Sequence, residues 1–198
     1  MPRQVDHRQR RAQIAEAVCS LVSARGLEGV SLRDVAAEAG ISMGRVQHYF
    51  RTKDEMLLFA LEYVGARDVA GTHERLAPAT SPSPRDVVRT VLGGLLDGDP
   101  RQVEAQRVGV AFLARALVEP KLAAFLLQGY AGIQVLLEQV LSEGVDAGTV
   151  AADTDPEAAA LEAFALVEGL RAQTLLGHVA RERALAVLDA HLDRLFVG

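Results

Sequence analysis

The side chains best placed to do chemistry lie in the run Ser31–Phe50, SLRDVAAEAGISMGRVQHYF. Met43, Arg45, Gln47, His48 and Tyr49 crowd together there and offer a thioether, a guanidinium, an amide, an imidazole and a phenol. Such groups read nucleic acid: in a major groove Arg pairs with guanine and Gln with adenine, about 1–3 kcal/mol of discrimination per good pair. Ser31 and Ser42 each open a helical pattern, so each presents a hydroxyl beside free backbone N–H groups, an arrangement suited to phosphate. Catalysis finds no comparable grouping. The five histidines, at 7, 48, 73, 178 and 191, make no HExxH or other metal-ligand spacing. The single cysteine, Cys19, lies beside Val18 and Leu21 on an apolar helical face, which suits burial better than redox work. Gly93-Gly94 follows a helical pattern and not a strand, so it makes no phosphate loop. No catalytic residue, cofactor or metal is expected.

Those reading groups need a rigid support, and the same run supplies one. Two short helices joined by a tight turn require a small residue where they cross, and Ala36 is small. The turn requires a residue tolerant of positive φ, and Gly40 follows four positions later. The second helix must close a miniature core, and Val46 does so ten positions after Ala36, with Val35, Ile41 and Phe50 completing the inner face. This is the helix-turn-helix pattern. An ordinary helical hairpin inside a bundle would satisfy the alanine and the glycine equally well. The outward set from Met43 to Tyr49 would be a poor choice for such a buried hairpin, and it favours DNA.

The remaining punctuation is helical. Apolar positions Ile14, Val18, Leu21 and Val22 define a first helix over 7–25, stopped by Gly26. Ser31 with Asp34 is a near capping box, and Thr52-Lys-Asp-Glu55 a full one opening a helix to about Leu76. Pro78–Pro84 reads as a loop. Three helices open with a polar cap followed by proline, at Ser83-Pro84, Asp99-Pro100 and Asp155-Pro156. Glu119-Pro120 breaks a long apolar pattern, and Gly144, Gly148 and Gly177 read as stops. The sum is an all-α chain of about nine helices without a sheet.

The run Ser31-Leu-Arg-Asp-Val-Ala36, Ala39-Gly-Ile-Ser42, Gly44, Tyr49-Phe50, Thr52-Lys53 and Leu57, after an amphipathic first helix, resembles the TetR family of bacterial transcriptional regulators over roughly the first 60 residues. The resemblance implies a three-helix DNA-binding head (residues 1–52) and a helical ligand-binding and dimerisation body (53–198), joined through a fourth helix. Gly44 then lets the backbone approach the duplex, Arg45 and Gln47 read the major groove, and Met43 and His48 touch base edges or the sugar-phosphate wall. Ser31, Ser42 and Arg33 face phosphates. Tyr49 resembles the family's phosphate-contacting aromatic and Lys53 its phosphate-contacting lysine. Gln47-His48 departs from the aromatic residues many members carry there, so base preference does not transfer from a relative. Val46 and Phe50 belong to the core. Arg8, Arg10 and Arg11 are either phosphate contacts or a solvated helix start.

Charge supports the division. The chain has 198 residues and a net charge of −5. Residues 1–53 hold nine Lys+Arg against five Asp+Glu (+4), and residues 54–198 hold 12 against 21 (−9). A basic head on an acidic body suits an anion-binding module attached to a part with another task. An apolar content of 49% excludes disorder, and one cysteine excludes a disulfide framework. No apolar run approaches the roughly 18 residues of a membrane span, and the N-terminus lacks a secretory signal, so a cytoplasmic location with no membrane partner is expected. Residues 155–177 are apolar around the whole helix, and Leu185, Leu188, Leu192 and Leu195 form a coiled-coil-like seam. Together with Leu166 and Leu170 these are the expected homodimer contacts. An effector pocket would draw on Tyr63, Arg67, Phe112, Arg115, Phe125, Gln128, Tyr130, Gln134, Phe164, Glu168 and Arg171. The expected function is a homodimeric repressor that a small-molecule ligand releases from a palindromic operator in double-stranded DNA. The alternative is an all-helical small-molecule-binding protein or enzyme with a vestigial head.

Overall fold

The computed structural model describes residues 2–77 and 81–197, with side chains from residue 7 onward. Among the described residues the chain forms nine helices: α1 (Pro2–Arg25), α2 (Leu32–Glu38), α3 (Met43–Tyr49), α4 (Lys53–Leu76), α5 (Pro84–Gly94), α6 (Pro100–Ala116), α7 (Pro120–Asp146), α8 (Pro156–Leu175) and α9 (Arg181–Leu195). The only extended pairing there is an isolated antiparallel bridge between Val150 and Phe196. The all-α expectation holds, and so do the three proline-opened starts. The expected loop at Pro78–Pro84 lies partly outside the described residues.

The chain divides into two compact units, Met1–Arg67 with Glu104–Ala123, and Asp68–Val103 with Ala124–Gly198. In the first unit α1 buries Ile14, Val18, Cys19 and Val22, and α4 buries Met56, Leu57, Ala60, Leu61 and Val64. The spacing of four in 56, 60, 64 and in 57, 61 gives α4 one continuous inward stripe. The boundary expected after residue 52 therefore falls inside this unit. Phe112, expected in an effector pocket, is fully buried here on α6.

The second unit closes around Val88, Leu92 and Leu96 near α5, Leu137 and Leu141 of α7, Ala160, Ala163, Phe164 and Val167 of α8, and Ala184, Leu188 and Leu192 of α9. Arginines fasten its outside. Arg89 grips the Asp189 carboxylate with two nitrogens and Arg85 pairs with Asp193, joining α5 to α9. Arg181 donates to the carbonyls of Leu96 and Asp97, which follow the α5 C-terminus, where positive charge is favoured. Gly148 and Gly177 are true stops with φ of +70° and +74°. Gly144 is not: α7 runs on to Asp146. A Cβ at Gly144 would lie 2.7 Å from Cγ2 of Val150, so glycine is there for close approach of the returning chain. Among the described residues α7 alone is long and apolar enough, by length and composition, to cross a membrane. Leu137 and Leu141 are instead buried against α8 and α9 partners of this unit.

Candidate nucleic-acid interface and regulatory body

The head begins with a turn that the sequence specifies residue by residue. Ser31 accepts from the Asp34 N–H while the Asp34 carboxylate accepts from the Ser31 N–H, a complete capping box on α2. The Ser31 hydrogen bonds hold the Asp34 carboxyl below the usual carboxylate range. Gly40 takes φ of +64°, and the Ile41 N–H closes the turn on the Ala36 carbonyl at 3.0 Å. Ser42 caps α3 through the Arg45 N–H at 3.3 Å. Gln13 of α1 reaches the Ala39 carbonyl at 2.8 Å and fixes the whole hairpin on the first helix.

Within α3 the two faces separate cleanly. Val46 and, just beyond the helix, Phe50 are fully buried. Met43 (42% exposed), Gly44, Arg45, Gln47 and His48 point outward. Tyr49 is half-buried, its ring set edge-on between those of His7 (4.8 Å) and His48 (5.3 Å). The exposed Ser31, Arg33 and Ser42 border the same hairpin. A Cβ added at Gly44 would meet nothing of this chain within 4 Å. Lys53 is half-buried and donates from Nζ to the Leu27 carbonyl at 3.2 Å. Arg11 packs against two aromatic rings. Its guanidinium lies 4.0 Å over the Phe59 ring and 5.1 Å from that of Phe50, and its Nε is buried with no hydrogen-bond partner among the described residues. It anchors α1 on α4 by cation–π contact. His7 beside Tyr49 was not foreseen, because nothing in the spacing of the first helix marks that contact.

The residues expected around an effector fall in both units. Tyr63 donates to Glu16 at 2.8 Å, and burial followed by that carboxylate pushes its phenol up. Arg115 holds Glu119 at 2.8 Å and also Glu28. These two and the half-buried Arg67, with the buried Phe112, lie in the first unit. In the second, Phe125 is half-buried and Gln128 exposed on α7. Phe164, Glu168 and Arg171 do come together, with Tyr130. The Tyr130 ring stands edge-on to Phe164 at 5.2 Å, its hydroxyl donates to Glu168 Oε2 at 3.3 Å, and Arg171 binds the same oxygen at 2.6 Å. Arg171 is only 8% exposed. Glu168 Oε1 and Arg171 Nε are both buried with no hydrogen-bond partner among the described residues. Burial, and next the Glu168 charge, pushes the Tyr130 phenol up.

The leucine seam faces inward. Leu170, Leu188 and Leu192 are buried in the unit's own core, with Leu166, Leu185 and Leu195 packed half-buried against it. The seam has the expected period, and its fully buried members, Leu188 and Leu192, pack within this unit. On the opposite side α8 exposes Ala158, Leu161, Ala165, Gly169 and Ala172, with the exposed Leu176 just past its end, and α9 exposes Ala186 and Ala190. Those small residues at spacings of three, four and seven were the signal that could have marked the outer face.

Comparison with known proteins agrees with this anatomy. Residues 14–59 match the bacterial regulatory proteins of the tetR family, and residues 84–197 match the BetI-type transcriptional repressor C-terminal family. The chain belongs to the TetR family. The HTH-type transcriptional regulator PksA of Bacillus subtilis (strain 168) is 32% identical over 200 residues, covering 100% of this chain and 95% of its own. The crystal structure of a TetR-family transcriptional regulator from Rhodococcus sp. superposes with a TM-score of 0.87 at 27% identity, over 94% of this chain and 98% of that one. A transcriptional regulator from Saccharomonospora viridis, solved with choline, shares the fold with a TM-score of 0.85 at 21% identity, over 95% and 97%. As a TetR-family member the chain is a DNA-binding transcriptional regulator, and the α2–α3 hairpin lies within residues 14–59, which match that family.

Proposed function

We propose that this TetR-family regulator is a cytoplasmic repressor that binds a palindromic operator as a homodimer and leaves it when a small molecule occupies the body. The observation that carries the reading is α3: Val46 is fully buried on one side, while Met43, Gly44, Arg45, Gln47 and His48 are exposed on the other. Arg45 and Gln47 read base edges, Ser31, Ser42, Arg33, Tyr49 and Lys53 hold phosphates, and Gly44 leaves room for the duplex. Dimerisation uses the outward faces of α8 and α9. Leu161 is 54% exposed on α8 and Leu176, just past its end, 83%, and the alanines and glycine between them allow close helix approach. A dimer is what lets two heads read half-sites one helical turn apart. The effector is bound at Tyr130, Glu168 and Arg171, where buried polar atoms await partners. An effector shifts the operator equilibrium only through its different affinity for the two forms. All the relatives named above are transcriptional regulators, and the role proposed here is correspondingly non-enzymatic.

Selection of bound sequences from a random duplex library, at two salt concentrations and with Arg45→Ala beside the native protein, tests the reading. An enriched inverted repeat, with one base position relaxed in the variant, is expected. Binding without sequence preference, or no salt-dependent binding, would overturn it.

A further inference from the structure

A small cleft of about 110 Å³ in the first unit joins the loop after α1, the start of α4 and the end of α6. A run of polar contacts follows its wall. Glu119 accepts from Arg115 Nε at 2.8 Å, and Arg115 Nη1 reaches across to the Glu28 carboxylate. The Leu27 carbonyl, one residue back, accepts from Lys53 Nζ at 3.2 Å. The loop that carries Leu27 and Glu28 is sharply defined. It leaves α1 through Gly26 at φ of +73°, and a Cβ at Gly29 would sit 2.9 Å from the Arg25 carbonyl oxygen. Leu27 is buried beneath it, whereas the Glu28 side chain is 79% exposed and leaves the loop only to meet Arg115.

An ammonium has three N–H donors on a flexible stem. The Leu27 carbonyl occupies one and thereby aims the other two. An aimed lysine loses less freedom when a phosphate arrives than a loose one. We propose that Arg115 is a positioning residue for DNA binding: from the last turn of α6 it holds Glu28, and through the Leu27 carbonyl it orients the Lys53 ammonium toward a backbone phosphate. The inference rests on the proposed role of Lys53 in the DNA contact. It gives Arg115 a task different from the effector contact expected from the sequence, and it places a determinant of operator affinity outside the helix-turn-helix.

A double-mutant cycle on the full-length protein, with the duplex enriched by selection, tests the proposal. Affinities are measured across a salt series for the native protein, Arg115→Gln, Lys53→Met and the double variant. Lys53→Met should lower the salt slope by about one unit, the share of one phosphate contact. Arg115→Gln should weaken operator binding by about threefold to tenfold, within the range of coupling between linked residues. Arg115→Gln should have no further effect in the Lys53→Met background, and Arg115→Lys should restore most of the loss. The cycle separates positioning from charge, because a guanidinium acting only through the long-range field would weaken both backgrounds alike. Equal effects in the two backgrounds, or no effect in either, would overturn the relay while leaving the DNA-binding reading intact. If the native protein shows no salt-dependent binding to the selected duplex, the DNA-binding reading fails first. Thermal unfolding of each variant separates a folding defect from a binding one, and Arg115→Lys supplies the comparison if Arg115→Gln unfolds.

Discussion

The Glu168–Arg171 pair allows a prediction in which a double substitution is milder than a single one. Its side chains are 19% and 10% exposed, and one buried atom of each has no hydrogen-bond partner. Taking two charges out of water is costly, and their attraction repays that only where the remaining donors and acceptors are satisfied. Arg171→Met alone strands a mostly buried carboxylate beside Tyr130 and Phe164. Breaking a fully buried pair costs about 3–5 kcal/mol. Solvent still reaches a fifth of Glu168, so roughly 2–3 kcal/mol is the better figure. For a chain of this length each kcal/mol moves the melting temperature by about 2–4 °C, which puts the fall at roughly 4–12 °C. Glu168→Leu with Arg171→Met removes both charges and both orphaned atoms. The melting temperature should then return to the native value or exceed it, since apolar replacement of such pairs is often neutral or stabilising. The assay is thermal unfolding by circular dichroism at one fixed protein concentration, because association shifts apparent stability. A double variant that melts as low as Arg171→Met would refute the reasoning. It would mean that the polar cluster is a net structural support and not a site kept for something it binds.

Other outcomes are expected from the same physical picture. Gln47→Ala should relax preference at one operator base pair by about 1–3 kcal/mol, read by competition with single-base variants of the selected duplex. A uniform loss across sequences would remove Gln47 from the base-reading set. Arg11→Met should destabilise the head by about 0.5–2 kcal/mol through lost cation–π contact, measured by urea unfolding; an unchanged midpoint would mean that the stack on Phe59 carries no energy. Gly144→Ala should cost about 1–3 kcal/mol by overpacking against Val150, and Val150→Ala in the same chain should recover part of it. No recovery would place the strain elsewhere. His191 is held below its ordinary value of 6.5, first by burial and then by Arg194, with Glu162 opposing. The unfolded chain therefore takes up the proton first as pH falls. The contribution of His191 is fully favourable above about pH 6.5 and is lost as pH falls from there through the lower folded value. His191→Leu should flatten the melting temperature against pH over that window, and an unaltered slope would exclude the residue.

Local signals carried most of the fold. Capping serines, prolines at first helical positions and glycines past helix ends depend on neighbours within four residues, and they placed the starts of α2, α3, α5, α6 and α8 correctly. The helix-turn-helix was legible for the same reason, since Ala36, Gly40 and Val46 act within one hairpin. Gly144 misled because the contact that requires it, with Val150, forms only after the chain has turned back. The leucine seam of α9 was legible in period but not in partner: a stripe of Leu185, Leu188, Leu192 and Leu195 looks the same whether it packs on its own α8 or on another chain. Long-range polar partners were the least legible. Tyr63 and Arg115 have the chemistry of ligand contacts, but their partners, Glu16 and Glu28, are tens of residues away in sequence, and no spacing rule links them. Glu168 and Arg171 came out together because i, i+3 neighbours on a helix must meet.

The division of the chain bears on how regulators of this kind can be recombined. Each passage between the two units, at 67–68, 103–104 and 123–124, lies inside a helix, in α4, α6 and α7. A chimera that grafts this head onto a foreign body by fusion after residue 52 would abandon Met56, Leu57, Ala60, Leu61 and Val64 to an unmatched neighbour, together with the whole contribution of residues 104–123. The transferable module is therefore discontinuous: it consists of residues 1–67 and a second insert of twenty residues from the middle of the chain. Fusion at the apparent linker leaves the buried stripe of α4 against foreign residues. Exchange along both segments keeps the native packing of the head.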